Sequence, residues 1–435
     1  APVPGTGPSD EPGRTLSYKL SGDRPRGWPA LGAAGSRPPL IGRMHSVGPD
    51  QLHGFTDRLG GDAGPHWPGV PRQDLGSLAG AQGPCADSLR LSGPGNSAYQ
   101  SVDEETAALA CDWLAARGQT DDPFCLMVGF LLPHCPFVAN PEDYNLYRGR
   151  VDVPRLPRPD PEHPWLAQWR RDSGIETPAP SDIARARTAY YGLVTRLDRM
   201  IGEVLEALDR AGLTRNTLVI YCSDHGEQIG ERGHWWKNTF YEQSAGVPLI
   251  LSWPGHLPEG KRRAQVVNLT DLAATVIDAA GAPALPASRG RSLLPVARDP
   301  DAPWQNRTFS EYVTDSMAGW TGPEPTCQRM VRDGDHKLIW IDGHEPMLFD
   351  LAADPDEIHD LALEPAHAET RARLTAHVLD GWDPQTIRAT VTRREAEKRI
   401  LHEWAARTRP PLLHVRDLDP AESWVDVPPT ERTAP

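Results

Sequence analysis

Residues 218–251 read LVIYCSDHGEQIGERGHWWKNTFYEQSAGVPLIL, and this stretch decides the fold. It begins with an apolar run, 218–222, which is too short for a helix and rich in β-forming residues. Such a run predicts a buried parallel strand. A second apolar run, 247–253, predicts another strand. The polar and aromatic loop between the two runs is of the kind that usually carries function.

The first predicted strand is followed by Ser223, Asp224, His225 and Gly226. In open α/β sheets, ligands bind just beyond the carboxyl ends of the strands, so this carboxylate and this imidazole are candidate site residues. Mixed oxygen and nitrogen ligands favour a divalent cation such as Mg, Ca or Mn over a thiolate-bound metal. On these residues alone, a surface turn capped by Asp224 is an equally good interpretation.

Two further predicted strands end in basic or imidazole side chains. A short strand at 40–41 runs into the residues GRMH, which contain Arg43 and His45. A predicted buried strand at 124–130 runs into LPHCP, which contains His134. Because the carboxyl ends of parallel strands meet at one edge of a sheet, these side chains, with Lys237 of the loop, are expected to converge near Asp224. The alternative for His134 is that its flanking prolines merely end a strand.

These segments resemble the sulfatase family of the alkaline-phosphatase-like superfamily, and within it the choline-sulfatase-type members. The residues GRMH are followed at 48–55 by GPDQLHGF, which is very similar to the family's own continuation. The residues PHCP match the family's Pro-His-x-Pro motif, and Asp-His-Gly-Glu at 224–227 matches its metal-binding segment. The resemblance covers roughly residues 28–410.

The resemblance implies a role for each candidate residue. Asp224 and His225 correspond to a pair that binds a divalent metal (Ca, Mg or Mn), and Lys237 corresponds to a lysine that binds sulfate or phosphate. His134 corresponds to a histidine that contacts the sulfate or the leaving-group oxygen, which makes it a candidate general acid. The implied catalytic residues are His45, His134 and Lys237, and the implied substrate-binding residues are Arg43, His45, His134 and Lys237. The family has lysine where this chain has Arg43, which keeps the charge but offers a planar fork.

Two parts of the family pattern do not occur in the sequence. None of the six cysteines stands in a Cys/Ser-x-Pro-x-Arg motif, where the family has its nucleophile. No acidic pair follows an apolar run before residue 40, where the family has further metal ligands. We therefore expect either a sulfatase without its N-terminal strand or a non-catalytic relative, and in both cases no turnover by this chain alone.

The expected function is hydrolysis of a sulfate ester, choline-sulfate-like or aryl, by metal-assisted nucleophilic attack. The alternatives are a phosphonate monoester or phosphodiester hydrolase of the same superfamily and a non-catalytic binding protein. The net charge of −14 and the pI near 5.5 argue against nucleic acid as a partner. No apolar run approaches a membrane span, and no signal peptide is visible, so the sequence predicts a cytoplasmic protein without a membrane partner.

The expected fold is α/β, an alkaline-phosphatase-like α/β/α sandwich around a mainly parallel sheet. Helices are predicted at 103–117 and 182–211. Clustered strands at 308–313, 328–332, 336–341 and 347–351 predict a smaller C-terminal antiparallel α+β subdomain. The predicted division is therefore 1–305 for the sulfatase-type domain, N-terminally incomplete, and 306–435 for the subdomain and tail.

A predicted basic helix at 384–407 carries an apolar stripe that packs either against a second copy of the chain or against its own domain. Both interpretations are open from the sequence. The stripe consists of Ile387, Val391, Ile400, Leu401 and Trp404.

Overall fold

The computed structural model describes residues 27–44, 51–64, 73–117, 120, 122–286, 288–314, 326–411 and 413–426, and every structural statement below concerns these residues. The helices are α1 (Gly27–Ala33), α2 (Asp87–Arg90), α3 (Ala98–Arg117), α4 (Pro141–Tyr147), α5 (Pro164–Asp172), α6 (Pro180–Arg210), α7 (Glu242–Ala245), α8 (Leu269–Ala279), α9 (Leu294–Arg298), α10 (Ala368–Leu379) and α11 (Pro384–Thr408). The strands are β1 (Pro39–Gly42), β2 (Asp57–Leu59), β3 (Gly93–Asn96), β4 (Met127–Gly129), β5 (Val138–Ala139), β6 (Val219–Cys222), β7 (Leu249–Ser252), β8 (Arg307–Val313), β9 (Cys327–Asp333), β10 (His336–Ile341), β11 (Met347–Asp350) and β12 (Trp424–Val425).

The parallel sheet is built around β1, which pairs in parallel with β2 on one side and with β4 on the other. Its Leu40 and Ile41 are fully buried, as expected for a central strand. Helices α3 and α6 pack against each other beside this sheet, and α6 also packs on α4 and β5. The predicted α/β class with a parallel sheet is confirmed.

The prediction of a buried parallel strand at 218–222 was wrong in two respects. Strand β6 pairs antiparallel with β7, with Val219 opposite Ser252 and Cys222 opposite Leu249, and its residues are only half-buried. The loop between β6 and β7 contains no crossover helix, only a short 3-10 turn at Glu231–Gly233 and the four-residue α7. A chain that returns without a crossover pairs antiparallel. An apolar run does not reveal the direction of pairing, so the sequence alone was ambiguous here.

Two further predicted boundaries also differ. The strand predicted at 124–130 contains only β4, whose residues are half-buried, and the helix predicted at 103–117 begins earlier, at Ala98. The helix predicted at 182–211 is α6, which begins with Pro180 at a first-turn position, where proline costs no hydrogen bond. Its buried residues include Leu193, Leu197 and Met200, which belong to the largest apolar cluster.

The C-terminal antiparallel sheet is confirmed, with the strand order β11-β10-β9-β8. Its apolar face packs against α10 and α11, and Ile387 and Val391 of α11 lie within that core. These two residues of the predicted stripe therefore pack within the chain itself, against the C-terminal sheet. Ile400 of the same stripe is 70% exposed. The packing of a second copy of the chain against that part of α11 stays a prediction.

The chain beyond α11 returns to the N-terminal half of the structure. Strand β12 pairs antiparallel with β3, and Arg416 forms a 2.5 Å ion pair with Glu105 of α3. The hydroxyl of Ser423 accepts a hydrogen bond from the N–H of Ala98 at 3.1 Å, at the start of α3. Among the described residues, no helix has the length and apolar character needed to cross a membrane.

Candidate functional site

Lys237 and His134 meet directly, although they come from different loops. The Lys237 Nζ lies 3.2 Å from the His134 Nε2. On the other side of the ring, the His134 Nδ1 lies 2.6 Å from the carbonyl oxygen of Cys135. A carbonyl only accepts, so Nδ1 carries the ring hydrogen and the lone pair of Nε2 faces the ammonium of Lys237.

The surrounding charges keep this imidazole neutral. Burial holds the pKa of His134 well below its ordinary value, and the charges of Lys237 and Arg43 lower it further. Burial also lowers the pKa of Lys237, against the opposing effect of the Asp224 carboxylate. The pair therefore consists of a lysine that holds the shared proton and a histidine that accepts from it.

Arg43 follows β1 and is tied to the end of β4. Its N–H donates to the carbonyl oxygen of Gly129 at 2.9 Å. A Cβ atom on Gly129 would lie 1.8 Å from the carbonyl oxygen of Arg43, so only glycine allows this close approach. The charge of Arg43 contributes to lowering the pKa of both His134 and Asp224. His45, two residues further along, lies outside the described residues.

Asp224 and His225 form the second half of the site. The His225 Nδ1 lies 2.8 Å from the carbonyl oxygen of Gly226, so Nδ1 carries the hydrogen. The bare Nε2 lies 3.4 Å from the Asp224 Oδ2, and the Asp224 side chain is 64% exposed. Burial and the charge of Lys237 lower the pKa of His225 to about 4. Although the Asp224 side chain is largely exposed, partial desolvation by nearby protein atoms acts to raise its pKa. The charges of His225, Lys237 and Arg43 outweigh that effect and lower the pKa.

These two side chains suit a divalent cation in kind but not in number. A lone pair on the Asp224 carboxylate faces a lone pair on the neutral His225 imidazole. The other ring nitrogen donates to the carbonyl oxygen of Gly226, and this hydrogen bond fixes the ring as in many metal sites. No group of three His, Cys, Asp or Glu side chains within the described ranges is placed to hold a metal ion. Two donors fall short of the six or so that Ca or Mg takes, so no chemical step is assigned to a metal below.

Asp103 is a site-supporting residue that sequence reasoning missed. Its carboxylate accepts from the N–H of Leu131 at 2.9 Å and from that of Leu132 at 2.8 Å, in the turn that leads to His134. Asp103 is fully buried, and burial raises its pKa to about 7 against these hydrogen bonds. The sequence indicated only that Asp103 begins the helix predicted at 103–117. Nothing local to α3 indicates a contact with residues that lie so far along the chain.

Glu227 holds the loop between the two halves of the site. Its Oε1 accepts from the N–H of Trp236 and, at 3.3 Å, from that of Ile229. Burial raises the pKa of Glu227 to about 7, while these N–H groups and the charge of Lys237 lower it. The sequence placed Glu227 at the end of the segment 224–227 that resembles the family's metal-binding segment, without assigning a role to it. In the structure, it fixes the residue that precedes Lys237.

Gly226 is required because α7 approaches the backbone here. The N–H of Gly226 donates to the carbonyl oxygen of Ser244 at 2.7 Å, and a Cβ atom on Gly226 would lie 2.1 Å from the carbonyl oxygen of Gln243. We expect Gly226→Ala to destabilise the protein by about 1–3 kcal/mol, because the added methyl group overpacks backbone that cannot move aside. The measurement is the midpoint of urea unfolding.

The matched control for that substitution is Gly202→Ala. Gly202 lies within α6, and no heavy atom lies within 4 Å of the position of its added Cβ. Alanine in a helix interior is favoured over glycine by about 0.5–1 kcal/mol, so this variant should unfold at a higher urea concentration. If the two variants unfolded at the same urea concentration, the claim that the α7 backbone leaves no room for a Cβ atom at Gly226 would be wrong.

The chain was compared with known proteins. The sequence profile of the family described as Sulfatase matches residues 63–282, and that of the N-sulphoglucosamine sulphohydrolase C-terminal region matches residues 230–381. The choline-sulfatase of Rhizobium meliloti is 31% identical over 90% of this chain and 79% of that protein. The multifunctional alkaline phosphatase superfamily protein PehA of Trinickia caryophylli is 30% identical over 58% of this chain and 54% of its own length.

Solved structures give the same picture for the fold. The phosphonate monoester hydrolase of Agrobacterium radiobacter superposes with a TM-score of 0.64 at 23% identity, over 86% of both chains. At that identity the likeness concerns the fold alone. It agrees with the expected alkaline-phosphatase-like architecture.

Proposed function

Because this chain belongs to the sulfatase family, we propose that its site binds the sulfate group of a small anionic ester, with a choline-sulfate-like or aryl sulfate as the substrate class. The observation that carries the proposal is the contact between the Lys237 ammonium and the neutral His134 imidazole, at 3.2 Å. The charge of Arg43 acts on both members of this contact, the charge of Asp224 acts on Lys237, and that of His225 acts on His134. The Lys237 ammonium and the Arg43 guanidinium are donors of the kind that bind the oxygens of a tetrahedral anion.

We assign the proton for the leaving group to Lys237. As the S–O ester bond breaks, negative charge develops on the leaving oxygen, and an N–H donor at that oxygen stabilises it. His134 keeps its only hydrogen on Nδ1, bonded to the carbonyl of Cys135, so its Nε2 has no proton to give. Lys237 supplies that proton, and His134 holds the Lys237 Nζ in place. This revises the sequence-based role of His134 as general acid.

We further propose that Asp224 and His225 contribute two ligands to a divalent cation, with Ca, Mg and Mn as the candidates. If held there, such a cation would supply positive charge against the charge that develops on sulfate oxygens. The donor types support this assignment, and the remaining ligands are not assigned.

Turnover also needs a nucleophile, and no residue of the sequence stands in the Cys/Ser-x-Pro-x-Arg pattern. We therefore expect the 435-residue chain to bind sulfate and phosphate without hydrolysing an ester. Binding is measured by calorimetry, and turnover is measured with an aryl sulfate, choline sulfate and an aryl phosphonate, with and without a chelator. The Rhizobium meliloti choline-sulfatase serves as the positive control.

Three outcomes of this experiment are decisive. Metal-dependent turnover that Asp224→Ala abolishes would overturn the expectation of an inactive chain and would support a catalytic role for the site. Preference for the aryl phosphonate in that case would favour the phosphonate monoester hydrolase alternative. Absence of both sulfate and phosphate binding would refute the proposed anion site.

A further inference from the structure

Ser244 of α7 contacts both halves of the site. Its carbonyl oxygen accepts from the N–H of Gly226 at 2.7 Å, next to the Asp224 and His225 pair. Its hydroxyl donates to the carbonyl oxygen of Lys237 at 2.8 Å. Ser244 is only 3% exposed, so water does not compete for either hydrogen bond. One buried side chain and its own carbonyl therefore connect the two segments that carry the polar groups of the site.

The backbone that leads to Lys237 is strained and needs such support. Trp236 has a φ of 61°, in the left-handed region that favours glycine. Conformations of this kind cost about 1–3 kcal/mol and persist only where neighbouring contacts enforce them. On one side of the strained residue, the N–H of Trp236 donates to Glu227. On the other side, the hydroxyl of Ser244 holds the carbonyl of Lys237.

The position of Ser244 is set in turn by the C-terminal sheet. Glu242, at the start of α7, donates its N–H to the Glu357 Oε2 at 2.7 Å. The Glu242 carboxylate accepts from the Nζ of Lys337, on β10, at 2.7 Å. Lys337 also lies 2.6 Å from the Glu357 carboxylate, and both residues are buried. The short helix α7 is therefore fixed to the sheet at one end and to the site at Ser244.

We propose that Ser244 is a positioning residue, which holds the Lys237 Nζ against the His134 imidazole and in register with Asp224 and His225. It touches no reacting group itself. The C-terminal sheet fixes the position of α7, and the hydrogen bond from Ser244 in turn fixes the backbone of Lys237, the anion-binding lysine. The proposal deepens the proposed function, since it concerns the same site.

The test compares three single variants of the full chain. Ser244→Ala removes the hydrogen bond to Lys237, Ser244→Thr keeps a hydroxyl, and Ser92→Ala is the control. Ser92 is also fully buried and donates to a backbone carbonyl, that of Leu89, at 2.6 Å. Two quantities are measured in each variant: the Kd for inorganic sulfate by calorimetry, and the pKa of the His134 imidazole by NMR, with His134→Gln to assign its signal.

We expect Ser244→Ala to weaken sulfate binding about tenfold, the equivalent of one hydrogen bond. We also expect the pKa of His134 to rise, because the charge of Lys237 that lowers it moves away. Ser244→Thr and Ser92→Ala should match the wild type in both quantities. The proposal would be overturned if Ser244→Ala and Ser92→Ala had the same Kd for sulfate and the same His134 pKa. It would also be overturned if Ser244→Thr bound sulfate weakly while unfolding at the wild-type urea midpoint. If the wild type binds no sulfate, the proposed function fails, while the pKa of His134 still decides the role of Ser244.

Discussion

Replacing Lys237 by methionine should weaken the binding of sulfate by about 10- to 100-fold, the effect expected for loss of a charge-assisted hydrogen bond of roughly 1.5–3 kcal/mol. Methionine matches the length of the lysine stem but removes the ammonium that faces the His134 Nε2 at 3.2 Å. The same change should raise the pKa of His134, because the Lys237 charge is one of the causes that lower it. Calorimetry gives the Kd, and NMR gives the pKa.

Stability separates this effect from unfolding. Burial disfavours the charged form of Lys237, as its lowered pKa indicates. A neutral side chain at this position should therefore leave the free energy of unfolding unchanged or raise it. Lys261→Met is the matched control, since Lys261 is exposed and the variant loses the same charge. If the Kd of Lys237→Met for sulfate were within twofold of that of Lys261→Met, Lys237 would not be part of the anion site.

Replacing Lys337 by methionine should destabilise the protein by about 3–5 kcal/mol. Lys337 and Glu357 are both buried, with 0% of each side chain exposed, and the Nζ lies 2.6 Å from one Glu357 oxygen and 2.7 Å from Glu242. Removing the lysine leaves two carboxylates close together, one of them fully buried, without the cation between them. The midpoint of urea unfolding measures the loss, and Lys261→Met again controls for the change in net charge.

The loss should depend on pH in a defined direction. Burial already raises the pKa of Glu357, and Lys337 opposes that rise. Without Lys337 the folded-state pKa rises further above the unfolded value, so the folded state binds the proton more strongly. Stability is then retained at low pH and lost as pH rises through the folded-state pKa. We expect the deficit of Lys337→Met to be smaller at pH 5 than at pH 8, and Lys337→Met/Glu357→Gln to recover part of it. A deficit that does not change with pH would contradict the buried ion pair as its cause.

The sequence determined the fold class and supplied the candidate site residues, because both depend on patterns a few residues long. A strand end followed by Asp224 and His225 is visible locally, and so is the alternation of strands and helices that predicts an α/β fold. The four C-terminal strands were visible for the same reason, since short β-rich runs with tight turns stand close together in the chain.

The tertiary structure alone decided how the site is held. The antiparallel pairing of β6 with β7, the contact of Asp103 with the turn before His134, and the bonds from Ser244 to Gly226 and Lys237 join segments that the chain separates. The same holds for Lys337, whose carboxylate partner Glu242 lies 95 residues earlier in the chain. No local sequence pattern identifies such partners, because a buried polar group forms its hydrogen bonds with any suitable group that the folded chain places next to it. The sequence specifies which groups become neighbours only through the packing of the whole molecule.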